Sequence, residues 1–473
     1  MAKKYGFLIF SSSLLVGAAF WIQSLWFLML FALLPFIYAL DQMGKKMALG
    51  ASAFFVVITG LVMAYPLLRF RTVQSIMPAG DELFFLLLVT FFYVLTLAVI
   101  AFFLLWLGIA LLKKPMVRIT FLPLAWIGFE FLRTKLSFGL AWLSVGEPLV
   151  EFLPLGVYAR IGGIYVLSFF IALFNVALYE SIKYLILHKE KTWRWTPLFT
   201  TFLLFILLSA GGMIYAGANN STVKTGRTFS VAIIQAGSLF NYHPEEKDYY
   251  RRLHMKTKEA TAKEKIPDAD LIVLPANYMK PAAEAEILEN KIREELDFLP
   301  KNSPVLFGVA IKRDGQQYET SVLSLPGGEI QTTSKEYLFP FVEYFPLYSE
   351  KFLPKLKKFT TQYTHGDNQV LFLKNGIAFG VLFCSEEFVP QVSRKAKRNG
   401  ANLLVISGNT DDFASGLAFK EVLRAGRLRA LENNIYVIHA LKSGISAVID
   451  PDGRVLKQLG KDEAGVLYTS ITF

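Results

Sequence analysis

Cysteine is nearly absent. The 473 residues include one, Cys384, so no disulfide can form within the chain and any covalent thiol chemistry falls to a single residue. A lone Cys is more often a small buried hydrophobe than a nucleophile, so its surroundings have to decide. Histidine is scarce as well: the five present show no metal-ligand spacing, and neither a metal nor another cofactor is expected. Acidic residues are outnumbered, 38 Asp and Glu against 49 Lys and Arg, for a net charge of +11. Nucleic-acid binding would need those basic residues on one face or interleaved with aromatics. Neither pattern is present, so no nucleic-acid partner is expected, and the excess suits an anionic membrane surface.

Charge is also sparse along residues 1–216, where Leu, Phe, Ile, Val and Ala dominate. Such a stretch must be solvated by lipid, and the remainder by water. Crossing the hydrocarbon core takes about 20 apolar residues in a helix. Runs at 5–20, 22–40, 48–68, 83–112, 117–134, 160–186 and 196–216 predict about seven crossings. The fourth is long enough to tilt. The first runs almost at once into the second, past a short break at Trp21 to Ser24, and lacks a small-residue cleavage site, so it is not read as a cleavable signal peptide.

The basic residues between these runs set the orientation. Lys3 and Lys4, Lys45 and Lys46, Lys113 with Lys114 and Arg118, and Lys189 with Lys191 and Arg194 all fall on one side, which should be the cytoplasm. An odd number of crossings leaves residues 217–473 on the outer face. Few charges lie inside the runs, which disfavours a transporter. Residues 133–160 mix Arg133, Lys135, Trp142, Glu147, Pro148, Glu151, Pro154 and Arg160 with apolar neighbours. That mixture suits an arm lying on the outer membrane surface, or a plain connecting loop.

From residue 217 the pattern changes. Short β-branched runs at 230–235, 270–274, 304–309, 378–383, 402–406 and 435–439 read as strands, and 244–263, 284–297, 387–398 and 417–433 as helices. The alternation predicts an α/β layered domain. Asp450-Pro451-Asp452-Gly453 reads as a turn between two closing strands.

Cys384 ends the apolar run Phe379-Gly380-Val381-Leu382-Phe383 and is followed by Ser385, Glu386 and Glu387. A thiol at a strand-to-helix corner meets backbone N–H groups that favour a thiolate and an oxyanion. Upstream, Lys335 opens the aromatic and proline-rich run Lys335-Glu336-Tyr337-Leu338-Phe339-Pro340-Phe341-Val342-Glu343-Tyr344-Phe345-Pro346. Taken singly, Lys335 reads as a surface charge.

Together these segments resemble the apolipoprotein N-acyltransferase family, the membrane-bound members of the nitrilase (carbon-nitrogen hydrolase) superfamily. Trp126-Ile127-Gly128-Phe129-Glu130-Phe131-Leu132-Arg133 with Gly139-Leu140-Ala141-Trp142-Leu143 resembles the family's Trp…Glu-Trp-Leu-Arg…Gly-Phe-Pro-Trp segment. Ile161 to Phe169 resembles its Gly…Tyr-Gly-Val-Ser-Phe span. Pro340 to Pro346 resembles its Pro-Phe-Gly-Glu-Tyr-Val-Pro signature, and Arg427-Leu428-Arg429-Ala430-Leu431-Glu432 its Arg-x-Arg-Ala-hydrophobic-Glu helix.

The resemblance implies a membrane α-helical bundle of about seven helices over residues 1–216, and a periplasmic nitrilase-like αββα sandwich over 217–473. It implies a multi-pass protein of the bacterial inner membrane, expected to be a monomer, with a phospholipid as acyl donor and a diacylglyceryl lipoprotein as acceptor. In that mechanism Cys384 attacks the phospholipid ester and forms a thioester, which the lipoprotein's N-terminal α-amine converts to an amide. Lys335 would stabilise the oxyanion, and Glu343 and Glu386 would be supporting acids.

Three features depart from the family pattern. The family's general base is a Glu in a Pro-Glu pair ending a strand, but Leu271-Ile272-Val273-Leu274-Pro275 is followed here by Ala276. The aromatic residue usual after the nucleophile is Ser385. A further membrane helix common in the family would lie beyond Phe473. Ala276 leaves three readings: a deliberate replacement, a naturally inactive protein that only binds lipoproteins, or a site rewired through Glu343 or Glu386. A chain without a base would be impaired. A membrane-anchored amidase shares the same fold and thiol chemistry and is the rival enzyme.

Overall fold

The computed structural model describes residues 2–64, 114–136, 142–220, 226–239, 248–263, 266–283, 292, 295–340, 343–345, 362–373, 375–410 and 416–473. The chain divides into two compact units: the described helical residues up to Asn220 belong to one, and the strand-bearing residues from Thr228 to Phe473 to the other.

The first unit contains α1 (Ala2–Trp21), α2 (Leu34–Asp41), α3 (Lys45–Ala64), α4 (Pro115–Leu136), the short α5 (Leu153–Gly156) and α6 (Ala159–Gly162), α7 (Ile164–Leu187) and α8 (Thr196–Asn220). Among the described residues, six stretches are long and apolar enough to cross a membrane: Lys4–Trp21, Gln23–Asp41, Lys46–Met63, Pro115–Lys135, Ile164–Leu187 and Thr196–Ala218. This is a multi-pass membrane protein. The expected run at 83–112 lies outside the described residues. Along α8, Phe199, Leu204, Ile206 and Ile214 are exposed, a surface suited to lipid rather than water.

The second crossing is not one continuous helix. Gln23–Leu30 winds as a tighter 3-10 helix, and α2 restarts with Pro35 in its first turn, where a missing N–H does no harm. Asn175 of α7 fills the gap: its Nδ2 donates to the Met29 carbonyl at 2.9 Å and its Oδ1 accepts from the Leu33 N–H at 3.0 Å. Backbone groups without a partner at membrane depth would each cost several kcal/mol. Ion pairs gather the end of α2, the start of α4 and the last turns of α7: Arg118 meets Asp41 at 2.6 Å and Glu180 at 3.0 Å, and Lys183 meets Asp41 at 2.5 Å.

Residues 142–150 are buried within this unit and do not form a surface arm. The Oε1 of Glu130 on α4 accepts from Trp126 Nε1 at 3.1 Å and from the Val145 N–H at 3.0 Å. Arg133 donates to Ser144 Oγ at 2.9 Å, and Glu147 accepts from the Ser144 N–H at 2.9 Å. Gly146 presses on α7 so closely that a Cβ there would come within 2.4 Å of the Ser168 nitrogen. The charges that suggested an interface instead satisfy the irregular backbone of a buried segment.

Among the described residues, the second unit is built on two sheets. The first has seven strands: β1 (Thr228–Gln235), β2 (Leu271–Val273), β3 (Met279–Ala283), β4 (Val305–Arg313), β5 (Gln316–Ser324), β6 (Ile330–Ser334) and β13 (Gly465–Thr472), ordered β13-β1-β2-β4-β5-β6 with β3 also on β4. The second has six: β7 (Leu371–Phe372), β8 (Ala378–Phe383), β9 (Leu403–Gly408), β10 (Tyr436–Leu441), β11 (Ala447–Ile449) and β12 (Val455–Gln458), ordered β12-β11-β10-β9-β8-β7.

Alternation along the strands separates the layers. Phe229, Val231 and Ile233 of β1 pack with Leu306, Leu323, Phe379, Val381, Val405 and Ile438 in the core between the sheets. Ala232 and Ile234, one residue out of phase, pack with Phe307 and Val309 against Tyr249, Leu253 and Ala260 of α9 (Tyr249–Lys263). Fully burying each such apolar side chain is worth about 1.5–3 kcal/mol. The second sheet is covered by α10 (Pro390–Arg398) and α11 (Gly416–Asn433). At Gly380 a Cβ would lie 2.4 Å from that of Ala396, so only glycine lets α10 sit so close to β8. The architecture is an αββα sandwich.

The expected strands at 230–235, 270–274, 304–309, 378–383, 402–406 and 435–439 all lie at or within two residues of strands of the sandwich. The expected helices at 387–398 and 417–433 become α10 and α11, and Asp450–Gly453 turns between β11 and β12. Most of the expected helix at 284–297 lies outside the described residues.

Candidate active site

Lys335 follows β6 directly and is fully buried. Thr320 pairs with Ser334 across the antiparallel β5 and β6, and the Lys335 N–H donates to the Glu319 carbonyl at 2.9 Å. The two side chains therefore lie on one face: Lys335 Nζ reaches Glu319 Oε2 at 3.0 Å and Glu343 Oε1 at 2.6 Å. Burial opposes the charge on Lys335, but Glu319 and Glu343 outweigh it and hold its pKa well above the ordinary lysine value. Glu343 is itself pushed up by burial, opposed by Lys335. Its second oxygen closes its own loop, accepting from the Phe339 N–H at 2.7 Å. Its neighbours Phe341, Val342 and Pro346 lie outside the described residues.

Cys384 stands where β8 ends. Its φ is +46°, a left-handed conformation that costs a non-glycine residue about 1–3 kcal/mol and is held only by its surroundings. Gly408 on the adjacent β9 packs beside this corner: a Cβ there would crowd the Leu441 side chain at 2.9 Å and reach ordinary contact with the Cys384 Cα at 3.4 Å. The thiol donates to the Asn409 carbonyl at 3.7 Å. The segment after it differs from expectation: Cys384–Phe388 is a short 3-10 turn, and α10 begins only at Pro390. One turn supplies little dipole, and burial dominates. The thiol is pushed up to about 12, with Lys335 the main opposing influence and Glu319 the first of the carboxylates that add to the rise.

Glu386 joins the two segments. Its Oε1 accepts from the Glu336 and Tyr337 N–H groups at 2.8 and 2.9 Å, next to Lys335, and its Oε2 accepts from the Phe383 N–H at 3.0 Å and Asn368 Nδ2 at 3.2 Å. Burial pushes Glu386 up to about 7 against Lys335 and the backbone donors. Behind it, Glu387 meets His439 Nε2 at 3.2 Å, and His439 Nδ1 lies 2.9 Å from the Ile445 carbonyl. The Arg427 and Arg429 segment is structural: Arg427 Nε donates to the Gly453 carbonyl at 2.8 Å, and Arg429 pairs with Glu432 at 3.3 Å.

Ala276 is buried just beyond β2, before Asn277 at φ +53°. Gly308 on β4 receives this turn: a Cβ there would meet the Asn277 nitrogen at 2.7 Å and the Ala276 Cα at 3.2 Å. The site thus brings together Lys335, Glu343, Glu386 and Cys384. Sequence reasoning missed Glu319, Asn368, Glu387 and His439. A signal existed for Glu319, a lone carboxylate in register with the inward-facing Leu323 of β5, but β5 itself was not foreseen.

Residues 230–473 match the carbon-nitrogen hydrolase family profile, and residues 12–177 that of the apolipoprotein N-acyltransferase N-terminal domain. The apolipoprotein N-acyltransferase of Geobacter metallireducens is 29% identical over 351 residues, which are 70% of this chain and 64% of that protein. Its namesake from Vibrio cholerae is 28% identical over 368 residues, 74% of this chain and 68% of that protein. The match thus spans just under two thirds of the Geobacter relative's length. Among solved structures, Saccharomyces cerevisiae Nit3, a member of branch 10 of the nitrilase superfamily, aligns with 52% of this chain and 90% of its own at 18% identity and a TM-score of 0.39. With the hydrolase profile over more than half its length and the acyltransferase profile on its helices, the chain belongs to the apolipoprotein N-acyltransferase family, the membrane-bound branch of the carbon-nitrogen hydrolases.

Proposed function

We propose that this protein moves an acyl chain from a phospholipid to the N-terminal α-amine of a diacylglyceryl-cysteine lipoprotein, through a thioester on Cys384. The observation that carries the reading is a half-buried thiol in a strained corner, tied through Glu386 to a buried Lys335, in a chain that also carries a multi-pass apolar unit. A soluble-substrate amidase has no use for so many crossings, whereas two lipid substrates do.

The thiol is the nucleophile. Lys335, held charged by two carboxylates, stabilises the tetrahedral oxyanion, and such a donor is typically worth about 10²–10³ in rate. Glu343 holds Lys335 in place, and Glu386 fixes the Lys335 segment against the nucleophile corner. We place the sandwich on the periplasmic side of the inner membrane, as a monomer. The gathering of Asp41, Arg118 and Lys183 at one side supports the orientation read from the basic loops.

Ala276 favours a second reading, an impaired chain. Without a carboxylate there or elsewhere, acylation and deacylation both lose about 10²–10⁴-fold, and Ala276→Glu should raise steady-state N-acylation by at least about 100-fold on the same scale. The test is intact-mass analysis of the protein in phosphatidylethanolamine vesicles, with and without a diacylglyceryl-cysteine peptide. An acyl adduct on Cys384 that passes to the peptide amine supports acyl transfer. Release of free acid from an amide substrate, with no transfer, would make the protein a hydrolase.

A further inference from the structure

Three carboxylates surround the thiol and lysine, and they differ in what their oxygens already do. Both oxygens of Glu386 are occupied, by four N–H donors at 2.8, 2.9, 3.0 and 3.2 Å. Both oxygens of Glu343 are occupied, one by Lys335 at 2.6 Å and one by the Phe339 N–H at 2.7 Å. These are fixtures of the loop. Glu319 differs. Its Oε2 meets Lys335 Nζ at 3.0 Å, and among the described residues its Oε1 accepts no hydrogen bond. Its side chain keeps 10% of its surface exposed while Lys335 keeps none, so Glu319 is the side of this ion pair that a reactant can meet.

Its place in the sheet matters as much. Gly308 on β4 pairs with Ser321 on β5, and Ala310 with Glu319. Ala276 lies over Gly308. In register with Leu306 and Leu323 of the core between the sheets, Gly308, Ser321 and Glu319 share that inner face. Glu319 is therefore on the face where Ala276 sits, one strand over and two residues along.

We propose that Glu319 is the general base of this site, supplying from β5 the carboxylate that is missing at Ala276. The proposal rests on the thiol-based acyl-transfer reading above. Glu319 takes the Cys384 thiol proton as sulfur bonds to the ester carbonyl carbon. The tetrahedral intermediate collapses, the ester C–O bond breaks, and Glu319 returns the proton to the lysophospholipid oxygen. In the second half Glu319 takes a proton from the attacking α-amine as the C–N bond forms. The C–S bond then breaks, and the proton goes to the departing Cys384 sulfur.

The test uses the full-length protein in phosphatidylethanolamine vesicles and two readouts: acyl adduct on Cys384, and alkylation of Cys384 by iodoacetamide at neutral pH. A carboxylate that acts only through its charge holds thiolate back, so removing it would speed alkylation. A carboxylate that takes the proton does the opposite. Glu319→Gln, which keeps the shape and an acceptor for Lys335, is expected to slow both reactions by at least about 10-fold. Glu319→Asp is expected to recover part of the loss, and Ala276→Glu in the Glu319→Gln background to restore at least about 10-fold. Slower alkylation with no acyl adduct even in the unmodified protein would keep Glu319 as base and sink the acyl-transfer reading. Alkylation unchanged or faster in Glu319→Gln, or Ala276→Glu failing to rescue a variant whose thermal unfolding matches the parent, would overturn the proposal.

Discussion

Glu319 and Lys335, 16 residues apart, meet at 3.0 Å across two antiparallel strands, and Lys335 has no exposed surface at all. Removing Lys335 strips both Glu319 and Glu343 of their buried counter-charge, which typically costs more than a pair contributes, whereas removing Glu319 leaves Lys335 paired to Glu343 at 2.6 Å. Much of what this site does follows from that coupling.

Cys384 is the only thiol, so Cys384→Ala is expected to abolish the acyl adduct while leaving the fold intact. The same change relieves nothing in the backbone, because the strained φ of +46° is set by the corner and not by sulfur. Intact mass reads the adduct and thermal unfolding reads the fold. An adduct surviving in Cys384→Ala would place the nucleophile elsewhere.

Lys335→Met is expected to lower acyl transfer by about 10²–10³ and to slow iodoacetamide capture, since Lys335 is the main influence opposing the rise of the Cys384 thiol and its loss would push the thiol up further. It also changes stability with pH. Glu343 is already raised by burial, with Lys335 opposing the rise. Without Lys335 the folded carboxyl rises further above its unfolded value. Between those two values the folded state binds more protons than the unfolded, so stability falls as pH rises. Thermal unfolding of Lys335→Met should therefore show higher stability near pH 5 than near pH 8, and a flat profile would count against the ion-pair account.

Glu386→Gln tests the positioning role. Four donors surround the two Glu386 oxygens. In either orientation the new amide nitrogen faces two N–H groups, at a cost of about 1–3 kcal/mol for each donor left unsatisfied. A clear drop in unfolding temperature and a loss of acylation are expected together. A variant as stable as the parent would mean the four contacts are not formed.

For topology, Lys224→Cys in a Cys384→Ser background is expected to react with a membrane-impermeant maleimide in intact spheroplasts. Labelling seen only after the inner membrane is opened would put the sandwich in the cytoplasm and reverse the proposed orientation.

The sequence by itself determined the division of solvents and which thiol any covalent chemistry would use. Apolar runs of about 20 residues have one common solution in lipid, the period-two alternation of residues such as Phe229, Val231 and Ile233 selects a two-layer sheet core, and one cysteine leaves no choice of thiol. Three things needed the tertiary structure. The break at Met29 to Leu33 is stable only because Asn175, distant in sequence, reaches its backbone. Residues 142–150 read as an interfacial arm because their charges look exposed until Glu130 and Arg133 are seen to meet them. Glu319 is one unremarked carboxylate in Gln317-Tyr318-Glu319-Thr320. What singles it out is strand pairing, which sets Lys335 opposite it and turns both inward. Local sequence dictates which face of a strand a side chain takes, but which distant side chain shares that face is decided by register, and register is a property of the folded sheet.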